Sequence, residues 1–226
     1  MTGDALFIAP FALDTNRPNR IFAGGLSLWR TDDAKAPNTP TSGPRWQVIK
    51  PSAGSFISTV GLTHDNSDLV WVGHDDGKLF RTVNGTAAQP AWQRMDSIGP
   101  KPVSAQRFCT AITIDPTNAQ IVYVTFGGYV SGNIWVTRDG GATWSNLGGN
   151  LPAAPVRAIA VHPRRNRFLY LGTEVGLFAS EDAGASWSPT NEGPTNCSVE
   201  ELFWMGETLV CATHGRGMFK INLAEI

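Results

Sequence analysis

The sequence predicts an all-β fold, a β-propeller of about five blades, each a four-stranded antiparallel sheet, with the last blade three-stranded. Three observations carry this expectation. An apolar strand pattern recurs at roughly the 40–50-residue interval of propeller blades. Gly and Pro number 24 and 15 among 226 residues, a composition suited to short strands joined by tight turns. Four of the units close on a tryptophan: Trp46, Trp92, Trp144 and Trp187.

Each unit follows one order. A first strand ends on Asp or His, as in Phe11-Ala12-Leu13-Asp14, Gly61-Leu62-Thr63-His64, Ile112-Thr113-Ile114-Asp115 and Ile159-Ala160-Val161-His162. A strongly apolar second strand follows: Arg20 to Gly24, Leu69 to Gly73, Ile121 to Thr125 and Phe168 to Gly172. The third runs Leu28 to Thr31, Leu79 to Thr82, Ile134 to Thr137 and Leu177 to Ser180, and the fourth begins at the tryptophan. The last stretch gives three strands only: Val199–Phe203, Leu209–Thr213 and Met218–Leu223. The expected blades are about 5–50, 55–96, 107–150, 155–192 and 198–223 of a single domain spanning 1–226, read either as a five-bladed ring or as the C-terminal part of a larger propeller. The final strand would be an open edge, so self-association through Met218–Leu223 is expected.

The turn between third and fourth strands is most regular in Thr137-Arg138-Asp139-Gly140-Gly141-Ala142-Thr143-Trp144 and Ser180-Glu181-Asp182-Ala183-Gly184-Ala185-Ser186-Trp187. An Asp there accepts main-chain N–H groups of its own turn, a Gly takes backbone angles closed to other residues, and the Trp buries a large ring. The pattern Ser/Thr-x-Asp-x-Gly-x-Thr/Ser-Trp resembles the Asp box, or BNR repeat, of sialidases, xyloglucanase-type glycoside hydrolases, sortilin-like receptors and photosystem assembly factors. Copies at Thr31-Asp32-Asp33 and Thr82-Val83-Asn84 carry insertions before Trp46 and Trp92. The resemblance implies a hydrolase-type propeller, and it implies that the box lies on the face opposite the site.

Composition removes several alternatives. A net charge of -1 gives no basic surface for nucleic acid. The Arg164-Arg165-Asn166-Arg167 run follows Pro163 and reads as a solvated turn. No segment approaches the roughly 20 apolar residues of a membrane span, and Ala5–Leu13 reads as a strand rather than a signal peptide. A soluble chain is expected. Cys109, Cys197 and Cys211 have no metal-type spacing, and Cys109 and Cys211 fall in strands as small buried hydrophobes.

By the same resemblance, ligands meet loops joining second to third strands and loops joining blades. The former are Gly24 to Ser27, Gly73 to Lys78, Thr125 to Asn133, Gly172 to Gly176 and Thr213 to Gly217. The latter are Pro51 to Ser55, Gly99 to Arg107, Leu151 to Pro155 and Glu192 to Ser198. Two carry concentrated chemistry: His74-Asp75-Asp76-Gly77-Lys78 and Thr213-His214-Gly215-Arg216-Gly217. His74 and His214 are candidate ligands for a divalent ion such as Zn²⁺, which would serve a metal-assisted hydrolase of phosphate or carboxylic esters. A glycosidase needs two carboxylates across a cleft, and Asp75 or Asp76 against Glu174 is the available pair. Arg107, Tyr129 and Arg216 are candidate contacts to a small-molecule or glycan ligand. The competing reading gives Asp75-Asp76-Gly77 a turn role and His214 a structural corner, in a non-catalytic glycan- or protein-binding propeller. His64 and His162 map to the opposite face as turn residues. No sialidase arginine triad, nucleophile elbow or phosphate loop is present.

Overall fold

The computed structural model describes residues 4–97, 103, 106–190 and 193–223, and in them the five sequence units form five antiparallel sheets. The first contains β1 (Phe11–Leu13), β2 (Ile21–Gly24), β3 (Leu28–Thr31) and β4 (Trp46–Lys50). The second contains β5 (Ile57–Thr63), β6 (Asn66–His74), β7 (Leu79–Thr82) and β8 (Gln93–Arg94). The third contains β9 (Cys109–Asp115), β10 (Asn118–Phe126), β11 (Ile134–Thr137) and β12 (Ser145–Asn146). The fourth contains β13 (Val156–Val161), β14 (Leu169–Thr173), β15 (Gly176–Ser180) and β16 (Ser188–Pro189). The fifth has β17 (Val199–Met205), β18 (Thr208–Thr213) and β19 (Met218–Asn222). Strands pair in sequence order within every sheet, so each is an up-and-down meander, the blade of a propeller. The loops expected at 99–107 and 192–198 lie partly outside the described residues.

The core lies between sheets. Phe22, Leu28 and Ile49 of the first pack on Ile57, Val70 and Val72 of the second, and similar clusters follow at each later junction. Alternation along each strand sends one set of side chains toward the preceding blade and the other toward the next. Blades come close near the ends of second strands: a Cβ on Gly73 would run into Cys109 Sγ, and one on Gly172 would lie 2.6 Å from Val199 Cγ1. The inner strands β1, β5, β9, β13 and β17 neighbour one another in that order, but β17 and β1 make no comparable contact. Apolar side chains are exposed at both ends of this arc: Phe11 and Leu13 in the first blade, Phe203 and Met205 in the fifth.

Four turns share one design. Asp139 Oδ1 accepts from Thr137 Oγ1 at 2.8 Å and Thr143 N at 2.9 Å, while Gly141 N donates to Thr137 Oγ1 at 2.7 Å. Asp182 repeats this with Ser180 at 2.8 Å and Ser186 N at 2.9 Å. In the two copies with insertions, Asp33 bonds Thr31 at 2.7 Å and Arg45 N at 2.8 Å, and Asn84 bonds Thr82 at 2.8 Å and Ala91 N at 2.9 Å. The insertion loops out without disturbing the oxygen that gathers the turn.

The tryptophans after the later three of these turns tie their blades to the one before. Trp92 Nε1 donates to Ile49 O at 2.8 Å, Trp144 Nε1 to Met95 O at 3.2 Å, and Trp187 Nε1 to Leu147 O at 2.9 Å. The accepting residue stands three positions after the preceding blade's own tryptophan in every case. Among the described residues Trp46, in the first blade, makes no such bond. All three cysteines are buried free thiols. Among the described residues no helix is long and apolar enough to cross a membrane.

Candidate functional site

One repeated main-chain bond builds the rim at the ends of the second strands. Just past each strand end, an N–H donates to a carbonyl ahead of the same blade's first strand. Asp75 donates to Phe56 at 2.9 Å, Gly127 to Phe108 at 2.9 Å, Glu174 to Pro155 at 3.0 Å and His214 to Ser198 at 2.9 Å. Leu26 donates to Asp4 at 2.9 Å in the first blade. Leu26, Asp75, Gly127, Glu174 and His214 therefore occupy one structural position, one per blade. The fold brings Asp75, Glu174 and His214 to the same rim.

His74 stands one residue earlier, at the position of Phe126 and Thr173, and successive strand residues face opposite ways. It is fully buried, whereas His214 is exposed. The two histidines look alike in sequence because each follows a second strand, but they differ by one step of register. The His74 ring is occupied: Nδ1 lies 3.2 Å from Ser55 O and 3.1 Å from Ser55 Oγ, and Nε2 lies 3.2 Å from Lys50 Nζ. This network assigns the proton to Nδ1, donating to Ser55 O, and leaves Nε2 to accept from Lys50. Burial, and then the Lys50 charge, pull the His74 pKa down to about 4. Among the described residues no group of three or more His, Cys, Asp or Glu is placed to hold a metal ion. The Zn²⁺ site expected at His74 and His214 thus has no donor set here.

Lys50 is the residue that sequence reading missed. It closes β4, is 2 % exposed, and lies over the Phe80 ring at 4.0 Å. Burial, and then the neighbouring Lys78 charge, bring its pKa to about 8, with Asp76 pulling the other way. Burial disfavours the Asp76 carboxylate, but bonds from the Lys78 side chain and main chain and from Ser55 outweigh it and lower its pKa. Lys50, Ser55, His74, Asp76 and Lys78 form one polar network beneath the rim. A lysine at a strand end carries no sequence signal of such burial.

Glu174 belongs to a second network. Arg157 Nη2 and Nε donate to its Oε2 at 2.6 and 3.0 Å, and Ser198 Oγ lies 3.4 Å from the same oxygen. Ser198 also donates to Glu200 Oε1 at 2.6 Å. Asp75 Oδ1 accepts the N–H of Phe56 at 3.1 Å. Arg107 is part-buried and turns to Gly132 O at 3.4 Å, bracing the 127–133 loop from below. Asn133 braces it further by donating to Gly128, Val130 and Ala154 carbonyls at 2.7, 2.9 and 2.9 Å. Tyr129, in that loop, is 73 % exposed and free to meet a ligand. Arg216 is exposed, with Nη1 3.4 Å from Thr195 O. His162 takes its expected turn role, Nδ1 accepting from Arg164 and Arg165 N–H at 3.2 and 3.1 Å.

A cleft of about 580 Å³ beside the first blade includes Phe11, Trp29 and Ser52. Trp29 pairs with Ala23 as Phe80 pairs with Val72 and Phe178 with Leu171. Phe80 and Phe178 both pack toward the preceding blade. The cleft under Trp29 is therefore blade-packing surface by position.

The arrangement is that of β-propeller blades, and the comparisons agree. No family model matches the chain. It is similar to a xyloglucanase from Paenibacillus sp (26% identical over 188 residues, 76% of this chain and 18% of the relative). It is also similar to the xyloglucanase Xgh74A of Acetivibrio thermocellus (28% over 166 residues, 66% of this chain and 19% of the relative). The chain thus spans under a fifth of the length of these relatives. Among solved structures, the GH74 enzyme of Niastella koreensis superposes with a TM-score of 0.70 at 12% identity, over 98% of this chain and 36% of that one. The GH74 xyloglucanase of Xanthomonas campestris gives 0.68 at 12% identity, over 97% and 37%. Those structural likenesses concern the fold. The sequence similarity makes the chain glycoside-hydrolase-like.

Proposed function

We propose that this chain is a propeller segment of a polysaccharide hydrolase of the xyloglucanase kind, and that its rim binds the glycan. The similarity to xyloglucanases over 76% of the chain carries this reading. The rim supplies suitable groups. Glu174 and Asp75, two blades apart at one structural position, are the carboxylates proposed to flank a glycosidic bond, with Asp76 behind them. Tyr129 offers a ring for a sugar face, and Arg216 and His214 offer polar contacts. The turns built on Asp139 and Asp182 fit the Asp-box reading and lie away from this rim.

The test is release of reducing ends from xyloglucan by the full chain, alongside Asp75→Asn and Glu174→Gln. Turnover lost in both variants, with thermal stability retained, supports the assignment. Wild-type turnover unaffected by either substitution removes it.

A second reading, glycan binding without hydrolysis, is favoured by one observation: Glu174 is held by Arg157, and Asp76 by Lys78. A carboxylate engaged by a neighbouring cation must give up that partner before it can meet a glycosidic oxygen. Retarded migration in xyloglucan-containing gels without turnover would decide for it.

A further inference from the structure

The blades share an irregularity near the start of the innermost strand. In the second to fifth sheets the pairing of first and second strands skips one residue: Ser58 in β5, Thr110 in β9, Arg157 in β13 and Glu200 in β17. Such a bulge takes a side chain out of the alternation and re-aims it. In the second and third blades the re-aimed group is a hydroxyl that ties one blade to the next. Ser58 Oγ donates to Cys109 O at 2.6 Å, and Thr110 Oγ1 donates to Val156 O at 2.6 Å. Each accepting residue stands directly before the bulge of its own strand.

Arg157 breaks this series. The corresponding carbonyl is that of Val199, and among the described residues no hydrogen bond joins Arg157 to it. The guanidinium meets Glu174 at the rim of its own blade instead, with Nε and Nη2 both on Oε2. One edge of each group is left over. Arg157 Nη1 and Glu174 Oε1 make no hydrogen bond among the described residues, and neither atom is enclosed. The two side chains keep 38 and 28 % of their surface accessible. A held donor thus stands beside a held acceptor. An aromatic ring is carried by the adjoining segment: Asn133 ties the Tyr129 loop to Ala154 O at 2.9 Å, and the next carbonyl, that of Pro155, receives the Glu174 N–H at 3.0 Å.

We infer that Arg157 is a specificity-determining residue of the rim, and that with Glu174 it takes a vicinal diol of a sugar ring. One hydroxyl donates to Glu174 Oε1, and its neighbour accepts from Arg157 Nη1. A sugar hydroxyl both donates and accepts, so adjacent hydroxyls match a charged donor and a charged acceptor held side by side. The pair carries no net charge as a unit, which suits a neutral sugar over an anionic one. This rests on the reading of the rim as the glycan face, and it holds whether or not a bond beside the diol is cleaved.

Affinity electrophoresis of the full chain in the cold tests it, with gels containing native xyloglucan or xyloglucan whose vicinal diols have been opened by periodate and reduced with borohydride. The wild-type chain is expected to bind the opened polymer about 20-fold more weakly than the native one. Arg157→Met is expected to bind native xyloglucan about 10-fold more weakly and to distinguish the two polymers by less than about 3-fold. Arg157→Gln gives the same reading should the methionine variant unfold. Ser58→Ala, which removes a bulge side chain engaged only with the next blade, is expected to lower the melting temperature and leave both affinities as in wild type. A structural role for Arg157 would weaken binding to both polymers alike, so wild-type discrimination retained by the Arg157 variants overturns the inference while the rim remains the glycan face. A wild-type chain that native xyloglucan does not retard overturns the reading of the rim and this inference together.

Discussion

Lys50 Nζ lies 3.2 Å from Nε2 of His74, with both side chains buried between the first two blades. A lysine donating to a neutral imidazole leaves no room for a second proton on the ring, so the pair responds to pH from two sides. With a folded pKa of about 4 against 6.5, His74 binds fewer protons in the native state than in the unfolded one across that interval. Stability is therefore expected to fall as pH drops from about 6.5 to 4, by roughly 2–3 kcal/mol from this group. His74→Gln should flatten that part of a urea-midpoint-versus-pH curve.

Lys50 acts in the alkaline range. Its folded pKa of about 8 lies below the ordinary 10.5, so the unfolded chain again holds more protons and stability rises with pH between those values. Lys78 and Asp76 share its surroundings. Lys50→Met is expected to abolish the rise, read as a melting temperature that no longer climbs from pH 8 to 10.

Trp144 is 1 % exposed, meets Trp71 edge-on at 6.1 Å and ties the third blade to the second. Trp144→Ala is expected to cost about 3–5 kcal/mol in urea unfolding. Trp46→Ala removes a part-buried ring with no carbonyl partner and should cost less than about half of that. Equal losses would show that the interblade tie contributes little.

Asp139 gathers its turn through Thr137 and Thr143, and the bonds from Thr143 hold its pKa down to about 2. Asp139→Ala is expected to lower stability by about 1 kcal/mol while xyloglucan binding stays unchanged. A selective loss of binding would move the glycan to the opposite face.

Glu174→Gln removes the charge that Arg157 faces at 2.6 Å. Glycan affinity or turnover is expected to fall about tenfold or more, whereas Arg157→Lys should produce a smaller change by keeping the charge and losing the two-pronged contact.

The repeat made the blades legible from sequence. Alternating apolar strands, the turn around Asp139 and the tryptophan spacing gave strand order and even the shortened last blade. Rim residues were half legible. Asp75, Glu174 and His214 follow strand ends recognisable by their closing Gly or Thr, and the fold brings them to one rim. His74 was not, because a single step of register decides whether a strand-end side chain meets solvent or core, and composition does not encode that step. Lys50 and Arg157 were hidden for a related reason. Both lie at or inside strand ends, and what matters about them is the partner a different segment brings.

The indole ties all run backward along the chain, from a later blade to the carbonyl of an earlier one. A blade is thus secured only when the final strand of its successor arrives. During synthesis each of the first three sheets would emerge half-fastened and wait some forty residues for its clasp, a delay set by blade length. A chain made this way matures in order, from the ribosome's first product to its last.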